Sequence, residues 1–268
     1  LRSDKKEEFS KHLAPYILRR TKAEVLPDLP PKQIVPIWCS MTKKQKKQYD
    51  EFLELASVTI AGQQVSTTNI LAEYTRLMQF ANAAQDLIEL PDGSLKLTST
   101  PESGKLGVLL EKLEDLGIMD GEGDEQAVIF SQFTEMVDMV TRVLEDKGVK
   151  TLRITGKDRK RGQRAAAQRE FQSGEGARVM VMNTMAGGVS ITLDRASHVF
   201  FLDETWNPDD QEQAEDRCHR ASRIHQVTCY YLRSKDTIEQ YKYEEVQKKS
   251  SANWSVLDFK RLGERVFN

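Results

Sequence analysis

From residue 105 onward, short apolar runs alternate with amphipathic stretches. "GKLGVLLEKLEDLG" has apolar positions at helical spacing and ends at Gly117, so it is predicted as a helix. "QAVIFS" is a short apolar run and reads as a buried strand, followed by the helix "TEMVDMVTRVLEDKG". The same reading makes strands of "VKTLRIT", "ARVMVMNT", "SHVFFLDE" and "VTCYYLR", and helices of "RGQRAAAQREFQSG" and "EQAEDRCHRAS". Strand and helix in alternation mean βαβ units and a mostly parallel sheet. In such sheets ligands sit beyond the carboxyl ends of the strands, so the loops after Phe130, Met182 and Leu202 are expected to gather there.

The pattern before residue 100 is different. It is mainly helical, interrupted by "LPDLPPKQIVPIWCSM", where Pro27, Pro30, Pro31 and Pro36 forbid helix and make "QIVPIWCSM" a candidate edge strand. Thr42 is placed to cap the helix "TKKQKKQYDEFLELASVTI". "LPDGSLKLTSTPESG" reads as a mobile loop with a boundary beside it. The expected division is a helical lead-in and protrusion over 1–98, an α/β lobe over 99–234, and C-terminal helices over 235–268 with Trp254 and Phe259 as docking residues.

Composition narrows the function classes. A chain of 268 residues suffices for one α/β core with a smaller appendage. No apolar run approaches the roughly 20 residues that span a bilayer, so no membrane role is expected. Three cysteines suit a reducing, intracellular setting better than a disulfide framework. The net charge is only −2, but Lys150, Arg153, Lys157, Arg159, Lys160, Arg161, Arg164 and Arg169 lie close together, opposed in sequence by Asp158 alone. Such a cluster fits either a phosphate-tracking patch or a solvated helix face.

Ordered strings along the chain resemble the second RecA-like lobe of SWI/SNF-like superfamily 2 ATPases. "VIFSQFTEMVDMV" resembles motif IV, "NTMAGGVSITLDRASHVFFLDETWNP" motif V and the segment after it, and "QAEDRCHR…RIHQ" motif VI. "ILRRTKAEVLPDLPPKQ" resembles the approach to that lobe. The resemblance implies a RecA-like parallel sheet with helices on both faces, an N-terminal helical protrusion and C-terminal helices. It also implies that this lobe works with an absent N-terminal lobe that holds ATP and Mg2+, and that the pair moves along double-stranded DNA, with a DNA-bound protein complex as a further partner. Arg217 and Arg220, three apart on a predicted helix, become arginine fingers beside Gln213, while Gly187, Gly188 and Asp216 fall to the nucleotide cleft. Ser131, Gln132, Arg159, Lys160, Arg161, Thr184 and Trp206 fall to DNA.

Several features bear on that picture. "FFLDET" imitates an acidic Walker B strand, yet "GxxxxGK[ST]" is absent: Gly104–Lys105 precedes leucine and Gly156–Lys157 precedes aspartate. The chain alone is therefore expected to be inactive toward ATP. Cys218, His219, His225 and Cys229 have no zinc-site spacing, and no metal is expected. Three departures stand out: Met185 replaces the family's arginine, "GVSITLD" replaces "GLGINLT", and "HRASRIHQ" opens the compact "HRIGQ" by Ala221 and Ser222. The insertion makes Arg223 a rival second finger. A strand-separating helicase and a silent binding lobe are the alternatives.

Overall fold

The computed structural model describes residues 22–61, 67–121, 123–156, 158, 162–185, 191–223 and 225–248. Lys157, Arg159, Lys160, Arg161, Gly187, Gly188, Trp254 and Phe259 lie outside these described residues. The strands are β1 (Gln33–Cys39), β2 (Gln85–Glu89), β3 (Leu95–Ser99), β4 (Ala127–Ser131), β5 (Thr151–Ile154), β6 (Val179–Asn183), β7 (His198–Phe201) and β8 (Thr228–Ser234). The helices are α1 (Lys22–Val25), α2 (Lys43–Ala61), α3 (Thr67–Asn82), α4 (Gly104–Asp115), α5 (Thr134–Asp146), α6 (Gln163–Ser173), α7 (Pro208–Glu215) and α8 (Ile238–Lys248).

Six strands form one parallel sheet in the order β1-β8-β7-β4-β6-β5. Strands β4 and β6 are buried at every position and apolar up to their last residues, Ser131 and Asn183, because both faces are covered. Ala127, Ile129, Val179, Val181, Phe200, Leu202 and Leu232 face Leu106, Leu109 and Leu113 of α4 and the apolar side of α5. Their alternates Val128, Phe130, Met180, Met182, Val199 and Phe201 face Phe171 of α6 and Ala214 of α7. Each fully buried side chain of this size contributes about 1.5–3 kcal/mol. β1 lies at the edge as expected, with Pro36 opposite Tyr231 of β8.

The appendage has its own core, in which Tyr49, Leu77, Met78 and Phe80 meet Ile238 of α8. Thr42 caps α2 in a reciprocal box: Gln45 N donates to Thr42 Oγ1 (3.2 Å) and Thr42 N to Gln45 Oε1 (3.3 Å).

Two expectations need correction. The stretch read as a mobile loop instead holds the turn and second strand of the β2–β3 hairpin, turned by Asp92, which accepts from Ser94 N (2.9 Å), and by Gly93 at φ 80°. Its outer strand is mostly exposed, so no apolar alternation marked it as strand. The helix read through "EQAEDRCHRAS" stops at Glu215, and Arg217 and Arg220 occupy the turn beyond it.

Candidate functional site

The strand ends gather as the topology requires. Leu202 N donates to Phe130 O (3.0 Å), and Thr184 N and Asn183 Nδ2 both donate to Ser131 O (3.0 and 3.1 Å). Asp203, which follows β7, is the hub. It is 1% exposed and accepts from Ser131 Oγ (2.5 Å), Gln132 N (2.8 Å) and Asn82 Nδ2 (2.9 Å). Burial pushes its carboxyl above the usual range, against the pull of these donors and of Lys105.

This hub changes the roles of the expected DNA residues. Ser131 is fully buried with its hydroxyl committed to Asp203, so it shapes the loop rather than facing outward. Gln132 is partly exposed, its backbone fixed by Asp203 and its amide donating to Glu204 O (3.3 Å). Thr184 is buried, and its hydroxyl has no hydrogen-bond partner among the described residues. Trp206 is half-buried: its ring meets Tyr74 edge-on at 4.2 Å, and Lys242 Nζ sits 4.5 Å from its centroid.

A buried polar network that the sequence did not reveal lies behind the hub. Lys105 is fully buried and its Nζ donates to Leu202 O (2.5 Å), Glu239 Oε1 (2.6 Å) and Asn82 Oδ1 (2.7 Å). Lys242 donates to the carbonyls of Glu204 and Thr205 (2.8 Å each), and burial lowers its pKa to about 8. Arg233 holds Glu204 through two bonds (2.5 and 3.0 Å) while the Tyr243 ring lies 4.2 Å from its guanidinium carbon. Helix α8 thus clamps the 203–206 loop. Lys105 lies four residues before Leu109 on the apolar stripe of α4, and a lysine on such a stripe was the available signal. The preceding Gly104 has a packing role: a Cβ there would lie 1.8 Å from Ser40 O.

The turn after α7 forms the second part. Leu193 N donates to Arg217 O (2.8 Å), anchoring the turn to the 191–193 segment. Arg217 is 7% exposed, with its guanidinium carbon 5.9 Å from the Phe130 ring centroid and Nη1 unpaired among the described residues. Burial, reinforced by neighbouring Arg220, holds its pKa below the ordinary arginine range. Arg220 makes one long bond to Ile191 O (3.4 Å), and its buried Nε is unpaired among the described residues. Neither forms an ion pair among the described residues. Arg223 is different: its donors are spent on Asp194 O (2.7 Å), His225 O (3.1 Å) and Gln226 O (3.1 Å). Gln213 is exposed on α7, and Asp216 is paired with Lys22 at 2.6 Å.

Two cations in the described part of the basic cluster are ion-paired. Lys150 pairs with Glu170 (2.7 Å), and Arg153 with Asp138 and Asp158 (2.5 and 3.2 Å).

Residues 108–222 match the helicase conserved C-terminal domain, and residues 2–89 match the SNF2-related domain. The chain is 30% identical over 248 residues to the chromodomain-helicase-DNA-binding protein 3 homolog of Caenorhabditis elegans, covering 89% of this chain and 14% of that protein. It is 28% identical over 264 residues to the ISWI chromatin-remodeling complex ATPase CHR11 of Arabidopsis thaliana, covering 97% of this chain and 24% of that one. The chain spans between 14% and 28% of the length of such relatives. Among solved structures, the C-terminal part of the Fun30 ATPase domain superposes with a TM-score of 0.70 at 20% identity, covering 89% of this chain and 97% of that one. The Sulfolobus solfataricus SWI2/SNF2 ATPase core in complex with dsDNA gives 0.70 at 24% identity, covering 97% and 55%. The sheet is therefore the RecA-like fold.

Proposed function

For a chain that belongs to the SNF2-related helicase family, as this one does, we propose the role of second motor lobe in an ATP-dependent translocase on double-stranded DNA. One observation carries the reading: Arg217, which is buried, and its neighbour Arg220, which is partly exposed with a buried Nε, have no carboxylate paired to either among the described residues. A desolvated cation without a partner is costly, and an arriving polyanion relieves that cost. The phosphates of ATP held by the other lobe fit this charge.

When the lobes close, the anchored turn presents Arg217 and Arg220 to the transferred phosphoryl group and stabilises the charge that builds there. Arg223, held by three carbonyls, supports Arg220 as the second finger. Gln213 and Asp216 border the same cleft, with Gly187 and Gly188 as its phosphate-approach residues. Mg2+, held together with ATP by the other lobe, would supply charge neutralisation. DNA lies along the strand-end loops. Gln132 and Trp206 touch it there, on a loop that Ser131 sets, with Thr184 buried behind them at the end of β6. Arg159, Lys160 and Arg161 meet phosphates nearby. The lead-in and protrusion (1–98) and the C-terminal helices (235–268) act with the lobe (99–234) as one body, a reading supported by β1 in the sheet and α8 on the hub. Relatives named for chromatin remodelling favour a DNA-bound protein assembly as the load, in the compartment that holds the genome.

The test uses the full-length protein. Duplex DNA should stimulate its ATP hydrolysis, and it should displace a third strand from a triplex without opening a forked duplex. Fork opening would favour a strand-separating helicase, and hydrolysis indifferent to duplex would favour a silent lobe.

A further inference from the structure

The chain leading into β1 is laced to the turn that carries the arginines. Lys22 Nζ pairs with Asp216 Oδ1 (2.6 Å) and donates to His219 O (2.8 Å). His219 Nε2 donates to Pro30 O (2.7 Å), and Gln226 Nε2 to Pro31 O (3.1 Å). Lys32 pairs with Glu215, whose side chain is 7% exposed and whose other oxygen accepts from the Tyr231 hydroxyl of β8. Gln33 N then donates to Val227 O (2.8 Å) where the sheet begins. Burial pulls the Lys32 pKa down, but the Glu215 carboxylate more than offsets this, so Lys32 stays charged at neutral pH.

These bonds bracket Arg217, with Glu215 and Asp216 before it and His219 after it. Pro27, Pro30 and Pro31 fix φ within the strap, so it transmits displacement rather than absorbing it. Arg217 and Arg220, by contrast, have few bonds of their own to hold them.

We propose that residues 22–32 form a positioning strap that sets the arginine turn, with Lys32, Glu215, Lys22 and His219 as positioning residues for phosphoryl transfer. The proposal rests on the finger reading of Arg217 and Arg220. Any displacement of the incoming chain reaches the arginines through this strap, without passing through the sheet.

The experiment compares Lys32→Met, Glu215→Gln and Lys22→Ala in the full-length protein with Arg217→Ala and Arg220→Ala as references. Each strap variant should lower kcat for DNA-stimulated ATP hydrolysis about tenfold or more, with KM for ATP within about twofold, as expected for a displaced catalytic group. Lys32→Arg should restore most of the rate. Lys22 is partly exposed, so Lys22→Ala keeps the test alive if the buried variants fail to fold. Wild-type kcat in Lys22→Ala and Lys32→Met, beside slowed arginine variants, would overturn the strap and leave the fingers standing. Unaffected arginine variants would remove the finger reading, and the strap proposal with it. A fall in kcat that tracks lost folded protein would reduce the strap to a stabilising element and also overturn it.

Discussion

Lys105→Met is the sharpest probe of the buried network that ties the appendage to the strand ends. The substitution keeps most of the side-chain volume but removes an ammonium with 0% exposure, leaving Glu239 (5% exposed) without its partner at 2.6 Å. Breaking one half of a buried ion pair typically costs about 3–5 kcal/mol. The cost has a ceiling, because Glu239 can take up a proton instead. Holding a carboxyl of ordinary pKa near 4.3 protonated at pH 7 costs about 3–4 kcal/mol. Two acceptors, Asn82 Oδ1 and Leu202 O, also lose their donor. The expected loss at pH 7 is thus about 4–5 kcal/mol, a fall in Tm of about 8–20 °C for a domain of this size. The sign of the pH dependence follows from the direction of the shift. Burial already raises Glu239 above the usual carboxylate range, and loss of Lys105 raises it further. The unfolded chain then ionises first, so the penalty grows as pH rises above about 4.3 and shrinks toward about 1–2 kcal/mol at pH 5. Thermal unfolding of the chain at pH 5 and pH 7, followed by circular dichroism, measures both numbers. Adding Glu239→Gln to Lys105→Met should abolish the pH-dependent part. A loss below about 1 kcal/mol at pH 7, or one equal at both pH values, would refute the reasoning.

Trp206→Ala removes a half-buried ring that packs on Tyr74 and sits against Lys242, and should cost about 2–3 kcal/mol in thermal unfolding besides weakening DNA stimulation. Unchanged stability would mean those packing contacts carry nothing. Burial pushes Cys39 up to about 11 and Cys229 up to about 12, with Cys218 also raised. Raised folded pKa values mean that this stability is complete below about pH 8.5 and is lost as pH rises toward 11–12. At pH 8 the native chain should therefore resist a thiol reagent that titrates the unfolded chain fully, and rapid native labelling would contradict the burial. Alanine at Arg159, Lys160 and Arg161 together should weaken binding to all duplexes alike and reduce the slope of log affinity against log salt by up to about three units. An unchanged slope would leave those residues as a solvated face.

The strands and the gathering of their ends were legible because a doubly covered parallel sheet demands uninterrupted apolar runs such as "AVIF" and "VMVM", which polar residues close. The β2–β3 hairpin was not legible, since its outward strand "QDLIE" has no apolar face to alternate with. Arg217 and Arg220 stand out in the sequence by motif alone, but their lack of a carboxylate partner among the described residues depends on where Asp216 and Asp194 spend their charge, which local sequence does not encode. The ion pairs of Lys150 with Glu170 and of Arg153 with Asp138 were not legible either, because the partners lie 15–20 residues apart in sequence and meet only in the fold. Lys105 and Glu239 lie 134 residues apart, and Lys105 invited comparison only with a phosphate-loop lysine. Its position on the apolar stripe of α4 was the better guide.

The central claim is that this lobe completes the site for phosphoryl transfer with two arginines. The most direct measurement is single-turnover ATP hydrolysis by full-length Arg217→Ala and Arg220→Ala proteins on saturating duplex, with ATP affinity measured in parallel. Each variant should lose on the order of 10³-fold in rate while binding ATP within a few-fold of wild type. Near-wild-type rates for Arg217→Ala and Arg220→Ala would contradict the account, and a slow Arg223→Ala beside a fast Arg220→Ala would move the second finger to Arg223.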